Sequence, residues 1–385
     1  MKIALICNTY IRNYGSILQS LASYKVLQDL GNEVKVINYK DYPTSKAKKK
    51  IFWYVKLPLI LNPKTLIAKI KKVILSKANP DFLKIRRNRE MSMDSFVVKH
   101  FEFTAACDSI EEAKKEILKM DTVVVGSDQL WGPVDILRDY HTLSFLPESF
   151  KKVSYATSFG VAKLPEYVSA QASSFLRRFQ YISVREDSGA DIVEQLIGKR
   201  PSVVADPTLL LNGEQWSNLL GNERKVDEKY IFAFFLGDNK EHREFVKRVK
   251  AITGLQIVSM QHVDEYIEAD ENFADFNIND ASPAEFVNLI KHAEFIFTDS
   301  FHASIFSIQF HKLFFTFDRY KKTSSNSRNG RIASLFSHLD LNERHLLGNE
   351  NIDKLLIKKI NYNLVDNILA EWRKNSIDYI KTALK

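Results

Sequence analysis

Short apolar runs that each end in small or polar residues recur along the chain, and this pattern constrains its fold more than any other feature. Lys2 to Cys7 is the first run and Val34 to Ile37 the second. Between them an S-x-x-Q capping box at Ser16 and Gln19 starts a helix. Ile17, Leu21 and Tyr24 follow at helical spacing until Gly31 ends it. Strand, helix and strand make a βαβ unit whose loop, Tyr10 to Gly15, lies at the carboxyl end of the first strand. In an open parallel sheet this is the ligand side. Thr122 to Val125 then runs into Gly126-Ser127-Asp128-Gln129-Leu130-Trp131, and Val153 to Thr157 into Ser158-Phe159-Gly160. Tyr181 to Val184 runs into Arg185-Glu186-Asp187, and Ser202 to Ala205 into Asp206-Pro207-Thr208. Such a series predicts a doubly wound sheet with one functional edge.

A polar stretch from Leu211 to Asp227 reads as a link, and a second set begins at Tyr230. Tyr230 to Leu236 enters Gly237-Asp238, a helix runs to about Ile252, and Leu255 to Val258 is the next strand. Ser282-Pro283-Ala284-Glu285 combines a capping box with proline at the first helical position. Glu294 to Thr298 is a buried strand that turns at Asp299-Ser300-Phe301 into an apolar helix, His302 to Phe310. Lys312 opens the strand Leu313 to Phe317, and a final helix carries Val365, Ile368, Leu369, Trp372, Ile377 and Ile380 at helical spacing. At 385 residues the chain is too long for one ordinary core. The expected architecture is α/β, with two Rossmann-like domains facing a cleft. The first spans residues 1–215 and carries a basic helical insertion at about 45–95. The second spans 228–360, and a C-terminal helix, 361–385, returns to the N-terminal domain.

Charge is unevenly spread. Lys46 to Glu90 holds 14 Lys/Arg against 2 Asp/Glu, a balance of +12, so with +8 overall the rest carries 8 − 12 = −4. The same stretch holds Ile51-Phe52-Trp53-Tyr54-Val55 and Leu57-Pro58-Leu59-Ile60-Leu61. Cations beside aromatic and aliphatic residues suit an anionic membrane surface or a lipid-linked substrate; a solvated helical insertion is the equal alternative. No recognised binding motif accompanies the charge, so nucleic acid is not expected. Two cysteines, Cys7 and Cys107, make no disulfide framework. The first apolar run is too short for a secretory signal, and nothing reaches the roughly 18 apolar residues of a membrane span. A reducing cytoplasm is the expected compartment. With no P-loop, G-x-G-x-x-G, H-E-x-x-H or zinc spacing, neither a metal nor a resident cofactor is expected.

Several residues at the expected edge could carry chemistry. His302, at a strand end and a helix start, sits where helix dipole and backbone N–H groups attract an anion, which would keep an imidazolium available as an acid. It could equally be a histidine that caps its helix. Arg185 offers a planar fork to a carboxylate or phosphate, or a salt bridge to Glu186 or Asp187. Arg319, Lys321, Lys322, Arg328 and Arg331, interleaved with serines, suit a loop over an anion. Asp128 could bind or deprotonate a sugar hydroxyl, and Trp131 could offer a ring face to a sugar or pack in the core.

Asn13-Tyr14-Gly15-Ser16-Ile17-Leu18-Gln19, Gly126 to Trp131, Ser158-Phe159-Gly160, Ile182-Ser183-Val184-Arg185-Glu186, Asp206-Pro207-Thr208 and Thr298-Asp299-Ser300-Phe301-His302 occur in this order. The series resembles the polysaccharide pyruvyl transferase family from Asn13 to about Leu335. That resemblance implies two Rossmann-like domains in a glycosyltransferase-B-like arrangement. It implies transfer of the carboxyethylidene group of phosphoenolpyruvate, a co-substrate rather than a cofactor, onto two sugar hydroxyls with release of phosphate. His302 would be the general acid, and Arg185 and Asp128 further catalytic residues, Arg185 holding the donor carboxylate. Ser300, Phe301, Lys312, Lys321, Lys322, Arg328 and Arg331 would line the donor site. Asn13, Tyr14, Gly15, Ser127, Trp131 and Ser158 would lie with the acceptor. The acceptor expected is a lipid-linked oligosaccharide, with galactose as its sugar, used for surface or capsular polysaccharide at the inner membrane face. Two departures stand out: some family members carry arginine two residues before the histidine, where this chain has Ser300, and Asn329-Gly330 separates Arg328 from Arg331. A nucleotide-sugar glycosyltransferase and a non-catalytic sugar-binding subunit are the competing readings.

Overall fold

A computed structural model describes residues 1–40, 45–57, 62, 66–67, 74–77, 79–320 and 330–385. The chain divides into two compact units. Unit 1 comprises Met1–Ile67, Val97–Leu210 and Glu371–Lys385; unit 2 comprises Ala68–Phe96 and Leu211–Ala370.

Unit 1 is built on a parallel sheet in the order β2-β1-β3-β4, from β1 (Lys2–Ile6), β2 (Glu33–Val36), β3 (Thr122–Val125) and β4 (Lys152–Ser154). The register sets Ile3 against Val34 on one side and against Thr122 on the other. β1 and β3 are buried on nearly every residue, as an all-apolar parallel strand covered on both faces must be. The pattern predicts β5 (Ser183–Val184) and β6 (Ser202–Val203) in this same sheet. They instead pair with each other and meet β4 and the segment after it through single bridges, Val153 to Tyr181 and Thr157 to Val184. Ser183 and Ser154 exchange side-chain and backbone hydrogen bonds where a longer ladder would lie.

Unit 2 carries a six-stranded parallel sheet, β12-β11-β10-β7-β8-β9. Its strands are β7 (Tyr230–Phe234), β8 (Gln256–Ser259), β9 (Phe276–Asn277), β10 (Phe295–Thr298), β11 (Leu313–Phe317) and β12 (His345–Leu346). Aromatic residues of β10 and β11 meet in its core: Phe297 stacks on Phe315 at 5.2 Å, and Phe245, from a helix, packs on both Phe297 and Phe317.

Local chemistry sets the helix starts. Ser282 and Glu285 form the expected reciprocal box, with Pro283 first in the helix Pro283–His292. The first helix is different. It spans Tyr14–Asp29 and is capped by Asn13, whose side chain accepts from the Ser16 N–H at 3.2 Å. Gln19 lies inside the helix, donating to Ser16 O and Ser20 Oγ. Asparagine is as good a cap as serine and comes three residues earlier, so it takes the position. The expected insertion in the first domain also divides. Ser45–Ile51 and the π-helical turn Phe52–Lys56 belong to unit 1, whereas residues 80–96 of the helix Pro80–His100 belong to unit 2. There the buried Arg89 donates to the carbonyls of Gln261 and Asn279, both at 2.6 Å. The final helix, Tyr362–Leu384, divides as well. Its part in unit 1 is tied to the rest of that unit: Tyr379 donates to Ser154 O at 2.9 Å, and Ser376 accepts from Ala205 N–H at 2.9 Å while donating to Trp372 O in its own helix. Both cysteines are free thiols. Among the described residues no helix is long and apolar enough to cross a membrane, and no group of three His, Cys, Asp or Glu could hold a metal ion.

Candidate active site

In unit 1 the chain leaves β1 toward β2 on one side and β3 on the other, so the switch point lies between β1 and β3. Ligands of open α/β sheets bind outside the carboxyl ends at such a point. The segments following β1 and β3 supply Asn13 to Ser16 and Ser127-Asp128. Ser16 Oγ lies 2.6 Å from Asp128 Oδ2. Asp128 has φ +76°, a left-handed conformation that asparagine and aspartate tolerate better than other side chains. Its carbonyl accepts from Leu130 and Ser158 N–H.

Arg185 is central to the rest. Its Nη1 donates to Asp206 Oδ2 at 2.6 Å, its Nε to Glu186 Oε1 at 3.0 Å, and Nη2 lies 3.8 Å from Asp128 Oδ1. Ser127 Oγ is 3.4 Å from Nη1, and Asp206 Oδ1 accepts from both the N–H and the hydroxyl of Thr208. Burial opposes the charge on Arg185, but Glu186, Asp206 and Asp128 outweigh it and raise its pKa. Four of the sequence motifs therefore close on one buried network with one cation and three carboxylates.

For the expected hold on the donor carboxylate, Arg185 has Nη1 engaged by Asp206 and Nε by Glu186, and its side chain is 2% exposed. Asp128, at 13%, is the carboxylate of this network that reaches solvent. Two acceptor assignments are corrected. Trp131 is fully buried, donates through Nε1 to His141 O at 3.1 Å and packs on Phe159, Phe175 and Phe179, so it has no face for a sugar. Ser158 is also fully buried, and its hydroxyl accepts from Gly160 N–H at 3.0 Å. Tyr14, Gly15 and Ser127 are buried, and Asn13, half-buried, caps its helix.

In unit 2 the switch point lies between β7 and β10. Asp299, just past β10, accepts from Leu236 N–H at 2.7 Å and Gly237 N–H at 2.8 Å, joining the two strand ends. Gly237 has no room for a side chain: a Cβ there would lie 2.9 Å from Asp299 Oδ2 and 3.2 Å from Arg319 Cγ. Ser300 caps the helix Phe301–Gln309 by accepting from Ala303 N–H at 3.4 Å, which places His302 in its first turn. The Arg331 guanidinium lies 5.4 Å from the centre of the Phe301 ring, which meets His302 edge-on.

Beside this turn is a cavity of about 500 Å³ lined by Asp238, Asn239, Glu241, His242, Asp318, Arg319, Tyr320, Leu346 and Leu347. Arg243, fully buried, holds its floor by donating to Gly237 O, Asn239 O and Asp270. Burial holds His242 below its ordinary pKa, with Arg243 adding to this and Asp299, Glu241 and Asp318 opposing it. His345 pairs with Asp318 at 2.8 Å. His302 is not among the residues lining the cavity.

Lys312 is not brought to this edge. It precedes β11 at the strand's amino end, roughly 16 Å of extended chain from Phe317. Burial lowers its pKa, Glu294 and Arg224 are its charged neighbours, and its carbonyl accepts from Tyr362 at 2.5 Å. Lys321, Lys322 and Arg328 lie outside the described residues. Sequence reasoning overlooked Ser16, Asp206, His242 and Asp299 as members of these sites. The quoted motifs contain Ser16, Asp206 and Asp299, but only strand order brings any of them together.

A family model for polysaccharide pyruvyl transferases matches residues 13–320, from the Asn13 cap through Arg319 and Tyr320. The chain belongs to the polysaccharide pyruvyl transferase family. Comparison with curated proteins returns no match. Among solved structures, this pyruvyl transferase family member is similar to a UDP-GlcNAc 2-epimerase from Neisseria meningitidis bound to UDP-GlcNAc. Identity is 12%, coverage 100% of this chain and 99% of that one, and the TM-score 0.46. It is similar to an alpha-glucosyltransferase in complex with UDP at 12% identity, 98% and 95% coverage and a TM-score of 0.49. A putative UDP-N-acetylglucosamine 2-epimerase from Listeria monocytogenes matches at 10% identity, 96% and 94% coverage and a TM-score of 0.47.

Proposed function

We propose that the protein transfers the carboxyethylidene group of phosphoenolpyruvate to two hydroxyls of a sugar, galactose of a lipid-linked oligosaccharide, for surface or capsular polysaccharide. The observation that carries this reading is the turn after β10, where His302 lies in the first turn of a capped helix with Arg331 against the neighbouring Phe301. A helix start and two arginines, Arg319 and Arg331, suit the carboxylate and phosphate of a small anionic donor. His302 is the proton donor in this scheme. The methylene carbon of the donor gains the proton, and the C–O-bearing carbon becomes an oxocarbenium-like centre. One sugar hydroxyl adds to that centre and loses its proton. A second hydroxyl then displaces phosphate, closing the cyclic ketal. In unit 1, Asp128, held by Ser16 and near Arg185, suits a sugar hydroxyl and is assigned to the acceptor. No metal or resident cofactor enters the scheme.

The test is acceptor-dependent phosphate release from phosphoenolpyruvate, with the product read by the mass of an added carboxyethylidene group. His302→Ala is expected to lower turnover roughly 10²–10⁴-fold, the usual worth of a positioned acid. A variant that keeps most of the wild-type rate removes His302 from the acid role.

One observation favours a second reading. Asp238, Glu241 and Asp318 give the cavity carboxylates that suit the hydroxyls of a ribose or sugar ring. A glycosyltransferase using a nucleotide sugar would release a nucleoside diphosphate and ignore phosphoenolpyruvate, so the same assay separates the two.

A further inference from the structure

The segment 45–57 contains five lysines and no carboxylate. Its helix and π-helical turn are fixed to unit 1 along one side: Ala47 and Ile51 are buried, and Val55 packs partly buried against the same core. Those positions are four residues apart, one stripe of a helix. The other side faces solvent. Lys48, Lys49 and Lys56 are exposed there, and so are Phe52 at 43%, Trp53 at 63% and Tyr54 at 49%. Tyr54 stacks flat on Tyr167 at 4.7 Å, with 1° between the rings, which steadies the turn without covering Phe52 or Trp53. Phe52 and Trp53 meet edge to face at 6.0 Å.

Three consecutive aromatic side chains exposed together are not the scattered apolar residues of an ordinary surface. Tryptophan and tyrosine settle at the headgroup level of a bilayer, where an apolar ring and a polar edge are both satisfied. Lysines flanking them meet the negative charge of anionic lipids. Nucleic acid or an acidic protein would use the lysines but leave Phe52 and Trp53 with little to do.

We infer that this face of residues 45–57 docks on an anionic lipid bilayer, with Phe52 and Trp53 entering the headgroup layer between Lys48, Lys49 and Lys56. The inference rests on the proposed function only in that a lipid-linked acceptor would be found at such a surface.

The experiment uses the full chain with vesicles of phosphatidylcholine alone and of phosphatidylcholine with 30% phosphatidylglycerol as probes, followed by co-sedimentation and tryptophan emission. Sedimentation with the anionic vesicles, a blue shift and weakening by salt are expected. Lys48→Gln with Lys49→Gln should lower vesicle affinity roughly 25-fold, about fivefold per charge removed. Phe52→Ser with Trp53→Ser should abolish the shift and most of the binding. These positions are exposed, so both variants should fold and keep the wild-type rate on a water-soluble acceptor. Equal binding to both vesicle types overturns the inference, as does no binding to either. Unchanged affinity in Phe52→Ser with Trp53→Ser also overturns it, since the lysines would then be acting as charge alone. If vesicles bind as expected while no acceptor is pyruvylated, docking stands and the transfer reading fails. Transfer to a soluble acceptor without vesicle binding has the opposite meaning.

Discussion

The carboxyl edges of the two sheets carry motifs of the same family but use them differently. In unit 1 the motif residues are spent on one another: Ser16, Ser127, Asp128, Arg185, Glu186, Asp206 and Thr208 form a buried network in which Asp128 alone of the carboxylates reaches solvent appreciably. In unit 2 the turn Thr298 to His302 organises backbone, and a cavity of about 500 Å³ opens beside it. A recurrent arginine in a motif is therefore not by itself a ligand arginine. Its partners decide what it can still hold.

Arg185→Met is the strongest way to break that comparison. It leaves three buried carboxylates without their cation and should cost about 3–5 kcal/mol in urea unfolding. If stability is kept and only the donor's KM rises, Arg185 is a ligand residue after all. The proposed His302→Ala should do the reverse, losing turnover with a much smaller change in the melting curve.

A second contrast concerns pH. Burial, with Arg138 nearby, pushes His141 of unit 1 down to about 3, so the folded chain keeps it neutral where the unfolded chain takes up a proton. The unfolded state binds more protons across this window. The contribution is therefore fully present above about pH 6.5 and is lost as pH falls toward about 3. Between pH 6.5 and 5 it should amount to about 2 kcal/mol. Unfolding of His141→Phe should lack that part of the slope, and a variant with the wild-type slope would remove His141 as its source.

The smallest effects sharpen the likeness between the edges. Asn13 and Ser300 cap the helices that follow β1 and β10. Asn13→Ala and Ser300→Ala should each cost about 1 kcal/mol in thermal unfolding. A loss well above that at one position would mark a second task for that side chain.

What was legible in the sequence is what is encoded locally. All-apolar runs gave β1, β3, β7, β10 and β11, and Ser282 with Glu285 gave a helix start. The turn at Thr298 to His302 was placed at the correct sheet edge for the same reason. The salt bridge of Arg185 to Glu186 was legible as an alternative, whereas its partners Asp206 and Ser127 lie 21 and 58 residues away in sequence. Trp131 was misread because the rings that enclose it come from the helix Glu166–Leu176, the residues just after it and the segment after Trp131 itself. Lys312 sits beside the correct strand but at its other end. The cap at Asn13 rather than Ser16 shows how two equivalent local signals leave only geometry to choose between them.

Ser300 carries one more consequence. Its hydroxyl is used as the helix cap, at the position where some family members have arginine. An arginine there has no side-chain oxygen to accept from Ala303, so the turn can offer an ordered helix start or a fixed positive charge, but not both from one residue. On the proposed function, a chain that keeps serine gains rigidity at the proposed proton donor and leaves anion recognition to more distant arginines, whose reach would make donor affinity adjustable without disturbing the acid. Ser300→Arg would move the protein along that exchange between order and attraction, tightening the donor while loosening the turn that aims His302.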